Sequence, residues 1–168
     1  MDTAGYGFAV FHNGHLVDWG SGQLGRREVF DAEIHGAVEG LRCAVLANLA
    51  NEPITVSMGN TSVIDCIGAT ASNSSQAQFR AFQKIGDKYP YQVSVKWCPG
   101  HSNIFGNELA DLLAKQGANL AVPEHLLSLL PQETGQGSDS RRLPAMVARS
   151  RESRLLIARP GRRATKAP

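Results

Sequence analysis

The chain has 168 residues, a hydrophobic fraction of 42% and a formal net charge of +2, values typical of an ordinary globular core with some additional chain. No apolar run approaches the length of a membrane span, and the N-terminus lacks the layout of a signal peptide, so we expect no membrane partner. The three cysteines follow no metal-binding spacing. An odd number of cysteines without a secretion signal predicts reduced thiols and an intracellular location, cytoplasmic or nuclear.

The first two predicted strands form a β-hairpin. The apolar runs Tyr6–Phe11 and His15–Leu24 have strand character, and Asn13-Gly14 between them favours a tight turn because both residues tolerate positive φ. Gly20 and Gly22 weaken the second strand and predict a bulge there.

Helices and strands alternate through the middle of the chain. Asp31 is the predicted N-cap of a first helix whose apolar residues recur at helical spacing. Ser75 and Gln78 match a capping box at the start of a later helix. The predicted order is strand, strand, helix, strand (54–58), helix, helix, strand (92–97) and a last helix at about 106–117. This order indicates a mixed α/β fold.

Charge divides the chain into two unequal parts. Residues 1–118 carry eight Lys/Arg against eleven Asp/Glu, a net charge of −3, whereas residues 119–168 carry nine against four, a net charge of +5. The apolar periodicity also ends near Asn119, beyond which prolines and glycines interrupt it. We therefore predict a folded domain over 1–118 and a basic, largely disordered tail over 119–168.

The segment Pro99–Lys115 predicts the end of a strand, a glycine-rich loop with His101, and a helix that carries Asp111. Together with Val29–Leu41, this segment resembles ribonuclease H of type 1, with the greatest likeness to the RNase H domains of fungal non-LTR retroelements. The resemblance covers about residues 5–118. It implies an RNase H-like mixed sheet flanked by helices.

The resemblance also implies an active site. The family cuts the RNA strand of RNA/DNA hybrids at a site where four carboxylates hold two Mg²⁺ or Mn²⁺ ions. By this resemblance Glu33 matches the ligand on the first helix, Asp111 matches the ligand on the last helix, and His101 matches a loop histidine that assists product departure. Without the resemblance, Glu33 is a solvated carboxylate favoured by the helix dipole, and Asp111 is half of an ion pair with Lys115.

Two of the four expected carboxylates have no match. The family places an Asp after its fourth strand, where this chain has Gly59, which has no side chain, and Asn60, which offers a neutral and much weaker oxygen ligand. Asp65 lies two helical turns further on. Because Gly5-Tyr6-Gly7 resembles the second strand of the family, the first strand and its Asp are missing. We therefore expect metal binding at this remnant site to be weak or absent.

A missing central strand leaves two neighbouring strands with unpaired backbone groups, each of which costs about 1–3 kcal/mol when buried. Three explanations are open: a truncated sequence, an oligomer formed through the unpaired sheet edges, or a tail that returns to supply the strand. Arg154–Arg159 is the best candidate for that strand. It contains no Asp or Glu, so it cannot rebuild the metal site.

Three functions follow. The first is a degenerate, retroelement-derived RNase H domain, a pseudoenzyme that no longer cuts hybrids but binds nucleic acid. The second is an active hybrid endoribonuclease whose sequence is truncated. The third is a repurposed scaffold that binds or converts a small molecule or protein, in which His101 with Asp111 or Glu33 performs acid–base chemistry. The expected nucleic-acid-binding residues are Asn60, Arg141, Arg142, Arg162 and Arg163.

Overall fold

The computed structural model describes residues 3–47, 51–69, 75–90, 92–100 and 103–119, together with the backbone of 154–157. Within these ranges the chain forms five strands and four helices. None of the helices in the described ranges is both long enough and apolar enough to cross a lipid bilayer.

The hairpin predicted at the N-terminus is confirmed. Strands β1 (Ala4–His12) and β2 (His15–Gly25) pair antiparallel. Asn13 and Gly14 between them have φ values of 51° and 79°, and two consecutive positive φ angles define the turn that matches strand twist.

The bulge predicted at Gly20 and Gly22 is wrong. Both glycines pair in regular register with Phe8 and Tyr6, and the register shifts lie nearer the ends of β1. A Cβ on Gly20 would lie 2.7 Å from the ring of Phe8, and one on Gly22 would lie 2.6 Å from the ring of Tyr6. These glycines therefore make room for aromatic rings on the neighbouring strand.

The remaining elements follow the predicted order, with one more strand in the tail. They are α1 (Val29–Leu46), β3 (Ile54–Met58), α2 (Thr61–Ile67), α3 (Gln76–Lys88), β4 (Val93–Trp97), α4 (Phe105–Gly117) and β5 (Arg154–Ile157).

Neither of the two predicted cap side chains, Asp31 and Ser75, caps its own helix, and the two bond to each other. The N-cap of α1 is Glu28, and Asp31 lies inside the first turn, where it is buried. Ser75 is the N-cap of α3, but its side chain makes no capping bond, so the predicted box with Gln78 is wrong. Instead the Ser75 hydroxyl donates to Oδ1 of Asp31. A buried carboxylate requires donors, and this bond ties the start of α1 to the start of α3.

The strands form one mixed sheet in the order β2-β1-β5-β3-β4. β5 pairs antiparallel with β1, with Leu156 opposite Ala9, and parallel with β3, with Leu155 opposite Val56. The sequence predicted that residues 154–159 supply a central strand, and the structure forms that strand over Arg154–Ile157. β5 thus joins the hairpin to the parallel pair β3–β4.

Helices cover both faces of the sheet. On one face α1 and α3 bury a cluster that includes Val10, Ile34 and Phe79. On the other face α4 packs Leu109 and Leu113 against Ala9 and Phe11 of β1.

Two glycines of β1 allow α4 to approach closely. A Cβ on Gly7 would lie 2.4 Å from the backbone nitrogen of Ala114, and one on Gly5 would lie 2.1 Å from that of Ala118. The backbones of β1 and α4 are therefore in direct contact, which explains physically why Gly5-Tyr6-Gly7 has small residues on both sides of the tyrosine.

Candidate active site

The candidate site lies where β3 ends. Beyond Met58, Gly59 and Asn60 lead into α2. The end of β4 flanks this turn: the Trp97 indole N–H donates to the carbonyl oxygen of Gly59 at 3.3 Å, and the Cys98 N–H donates to that of Met58 at 2.8 Å. Trp97 is 57% exposed, so a large aromatic surface faces solvent beside the turn.

Glu33 is bound to the backbone of this same turn. Its side chain is buried in the second turn of α1. Oε1 accepts hydrogen bonds from the N–H groups of Gly59, at 3.0 Å, and Asn60, at 2.8 Å. Bonds to a carboxylate are stronger than neutral ones, so Glu33 fixes the position of the turn. The residue that matches one metal ligand is thus bonded to the backbone at the place expected for another.

Asn60 serves the start of α2. Its Oδ1 accepts a hydrogen bond from the N–H of Ser62 at 3.0 Å, which makes it the N-cap of the helix. The only side-chain oxygen at positions 59 and 60 is therefore used for capping.

Asp111 forms the ion pair expected from its spacing to Lys115. Nζ of Lys115 lies 2.6 Å from Oδ2 of Asp111, and the Asp111 side chain is 14% exposed. The lysine supplies positive charge to the carboxylate that the resemblance assigns to a metal.

The described side chains do not fit a two-metal centre. A pair of Mg²⁺ ions requires several carboxylates that converge from separate elements. Within the described ranges, no group of three or more His, Cys, Asp or Glu residues could hold a metal ion. β5 runs parallel to β3, so its carboxyl end lies at this same edge of the sheet, but Arg154–Ile157 contains no acidic residue.

Several predicted site residues cannot be placed. His101 and the four tail arginines of the prediction lie outside the described residues. The four arginines are Arg141, Arg142, Arg162 and Arg163.

Besides Glu33, α1 contributes His35 to a contact with Tyr6 of β1, in which both side chains are neutral. The rings of Tyr6 on β1 and His35 on α1 pack at a tilt of 47°, with centroids 4.6 Å apart. Burial lowers the pKa of His35 below 6.5; Glu39 opposes this shift and Arg42 adds to it. Burial, then the charge of Glu39, raises the pKa of Tyr6 above 10.0. Both groups are therefore uncharged near neutral pH.

Trp97 is not among the site residues predicted from the sequence. The only available signal was its position at the end of a strand directly before the Pro99-Gly100 loop. Its exposure and its bond to Gly59 require the register of β3 and β4, in which Trp97 is opposite Met58.

Comparisons with known proteins agree with this architecture. The family model described as RNase H matches residues 2–119. Among solved structures, the fold is similar to RNase H1 from the halophilic archaeon Halobacterium salinarum NRC-1, with a TM-score of 0.56 and 20% identity, over 70% of this chain and 86% of that chain. A search of curated proteins finds no match. The predicted RNase H-like fold is confirmed.

Proposed function

The chain belongs to the RNase H family, and we propose that it is a member without hybrid-cleaving activity that retains nucleic-acid binding. The observation that carries the proposal is the pair of hydrogen bonds from Gly59 and Asn60 to Glu33. In an RNase H of the usual kind, the resemblance implies an acidic side chain at position 59, and the charges of both carboxylates would face metal ions. Here the turn offers N–H groups to Glu33 and no second carboxylate.

The consequence for catalysis is electrostatic. Phosphodiester hydrolysis in this family depends on divalent ions that stabilise charge on the attacking and leaving oxygens. Both carboxylates that the resemblance assigns to a metal have other partners: Glu33 accepts from the backbone of the turn, and Asp111 on α4 is paired with Lys115. Neither the turn nor β5 adds a third carboxylate, so we derive no metal-dependent step for this chain.

Nucleic-acid binding is assigned to the tail because of the distribution of charge. The folded part is acidic, with a net charge of −3 over residues 1–118, whereas residues 119–168 carry +5. Arginines bind phosphate without reading sequence, and such binding weakens steeply with salt. In this proposal Asn60 and Trp97 contribute at the site itself, where Trp97 offers a ring on which a base can stack.

The proposal also covers the evolutionary origin of the chain and its location in the cell. The motif within Pro99–Lys115 supports descent from a retroelement. Cys43, Cys66 and Cys98 form no disulfide bond, which supports a reducing compartment such as the cytoplasm or nucleus.

Cleavage of a labelled RNA/DNA hybrid tests the catalytic half. We expect no hydrolysis by the wild type with Mg²⁺ or Mn²⁺, and none by Gly59→Asp, because the carboxylate of the first strand is still absent. Glu33→Gln and Asp111→Asn are the controls for a contaminating nuclease, whose activity they would leave unchanged. Wild-type cleavage that either control abolishes would overturn the proposal.

Salt-dependent binding of the same hybrid tests the other half. Arg141 and Arg142 changed together to Gln should reduce the slope of log K against log salt by roughly 1–2, since each phosphate contact contributes about 0.9. The matched control replaces Arg80 and Lys84, two exposed cations of α3, with Gln and should leave the slope unchanged. Absence of hybrid binding at low salt, or an equal effect of the control pair, would contradict the assignment to the tail.

A further inference from the structure

The centre of the sheet contains what we call the strand slot, the position between Phe8–Val10 of β1 and Thr55–Ser57 of β3. β5 occupies it and pairs on both sides, antiparallel with β1 and parallel with β3. Along the chain, however, β5 is separated from Asn119, just beyond the end of α4, by residues 120–153.

The connection that precedes β5 is long. Residues 120–153 would span roughly 110 Å when fully extended, far more than adjacent elements need, whereas connections in compact domains are usually about 2–6 residues long. Because so long a connection restricts the position of a strand only weakly, the described contacts that fix β5 are its backbone pairings with β1 and β3. The same contacts are available to a strand of the same sequence on another molecule.

The slot selects a particular kind of strand. Five of the six residues opposite β5 on its two neighbours are buried, and the sixth, Thr55 opposite Arg154, is partly buried. The five are Phe8, Ala9, Val10, Val56 and Ser57. α1 and α4 lie on opposite faces of the sheet, and both contact β5. A strand covered on both faces must be apolar at every position instead of at alternate ones. Leu155-Leu156-Ile157 is such a run.

The charges that flank the strand are a second property by which the slot can select it. Arg154 and Arg159 flank the apolar run, and the body that receives it, residues 1–118, has a net charge of −3. An apolar segment with basic ends therefore matches both the interior of the slot and the net charge of the body around it.

We propose that the strand slot is a peptide-binding site and that residues 154–157 are its resident ligand, exchangeable with the same segment of a second molecule. The binding mode is strand addition, with main-chain hydrogen bonds on both edges instead of one. The partner class is an extended apolar peptide with basic flanks, which a second copy of this chain provides.

The test uses the full chain with a protease recognition sequence inserted between residues 132 and 139, cut after folding. We expect the C-terminal fragment to co-elute with the body on size exclusion. Excess labelled peptide of residues 150–161 should displace it, and the same peptide with Leu156→Pro should not. A proline removes an N–H, and in a strand paired on both sides every N–H faces one neighbour or the other.

Hydrogen exchange on the uncut chain provides a readout that does not depend on cleavage. Leu156→Pro should reduce protection of the β1 and β3 amides that face the slot on the order of tenfold or more, and wild-type peptide should restore it. Amides of β4 that pair with β3 are the internal control. The proposal is overturned if the cut fragment elutes alone, or if the β1 and β3 amides of uncut Leu156→Pro stay as protected as those of the wild type. A bound fragment that no excess of peptide displaces would also overturn it.

Discussion

The interior of the sheet and the edge where β3 ends make different demands on the sequence. In the interior, β5 comes from the far end of the chain and pairs in both directions. At the edge, Gly59 has no side chain, and its backbone N–H donates to Glu33. Ladder bonds use main-chain atoms that nearly every residue has, so a strand can be replaced by another apolar run. A metal centre depends on specific side chains, and no backbone rearrangement supplies them.

The largest expected effect tests the interior. Gly7→Ala should lower the free energy of unfolding by about 3 kcal/mol, because its Cβ would lie 2.4 Å from the backbone of Ala114 and α4 would have to move. Urea denaturation measures this. The matched control is Gly86→Ala in α3, where a Cβ meets nothing within 4 Å. It should stabilise by about 0.5 kcal/mol. Equal effects of both would mean that β1 and α4 are not in backbone contact.

The next largest effect concerns Glu33, at the edge where β3 ends, and the sign of the change in the free energy of unfolding is what tests it. Glu33→Gln should lower the free energy of unfolding by about 1–2 kcal/mol, because it weakens two charge-assisted bonds from buried N–H groups. In an intact cluster of carboxylates the same change relieves repulsion and stabilises the metal-free protein. Glu39→Gln is the control on the same helix, at an exposed ion pair with Arg42, and should have an effect near zero. An increase in stability for Glu33→Gln would mean that a charged cluster is present.

A smaller effect concerns Asp111, the second carboxylate that the resemblance matches to a metal ligand. The coupling between Asp111 and Lys115 should be about 0.5 kcal/mol, since the pair is partly exposed and spaced i,i+4 on α4. A double-mutant cycle with Asp111→Asn and Lys115→Met isolates this energy from the effect of each single change. Zero coupling would show that the lysine does not neutralise Asp111 in solution.

The smallest effect is a pH dependence located away from the edge. The pKa of His35 is below 6.5 in the folded state because the ring is buried against Tyr6. The unfolded chain therefore takes up the proton first as pH falls, and stability is lost as pH decreases through about 6.5. His35→Gln should flatten the change in urea midpoint between about pH 7.5 and pH 5.5 relative to the wild type. An unchanged slope would mean that His35 is not buried in solution.

Local patterns predicted much of the fold. The Asn13-Gly14 turn, the order of the elements and the strand in 154–159 all follow from residue types over short stretches. Asp31 is not the cap of α1 and Ser75, although it is the N-cap of α3, makes no capping bond, because the two side chains bond to each other across 44 positions. Gly20 and Gly22 failed as bulge markers because their role depends on rings of the opposite strand.

The site was predictable only in part. The resemblance predicts that Glu33 and Asp111 are remnant ligands and that Gly59 stands where a third ligand is expected, and these roles stay predictions. The bond between Glu33 and the turn joins positions 26 apart and depends on how α1 packs beside the end of β3, which no local pattern encodes.

Calorimetric titration of the purified full chain with Mn²⁺ is the measurement that tests most directly whether the chain lacks the metal site of its family. We expect no saturable heat for the wild type, and the same flat titration for Glu33→Gln. Stoichiometric Mn²⁺ binding by the wild type that is lost in both Glu33→Gln and Asp111→Asn would contradict it.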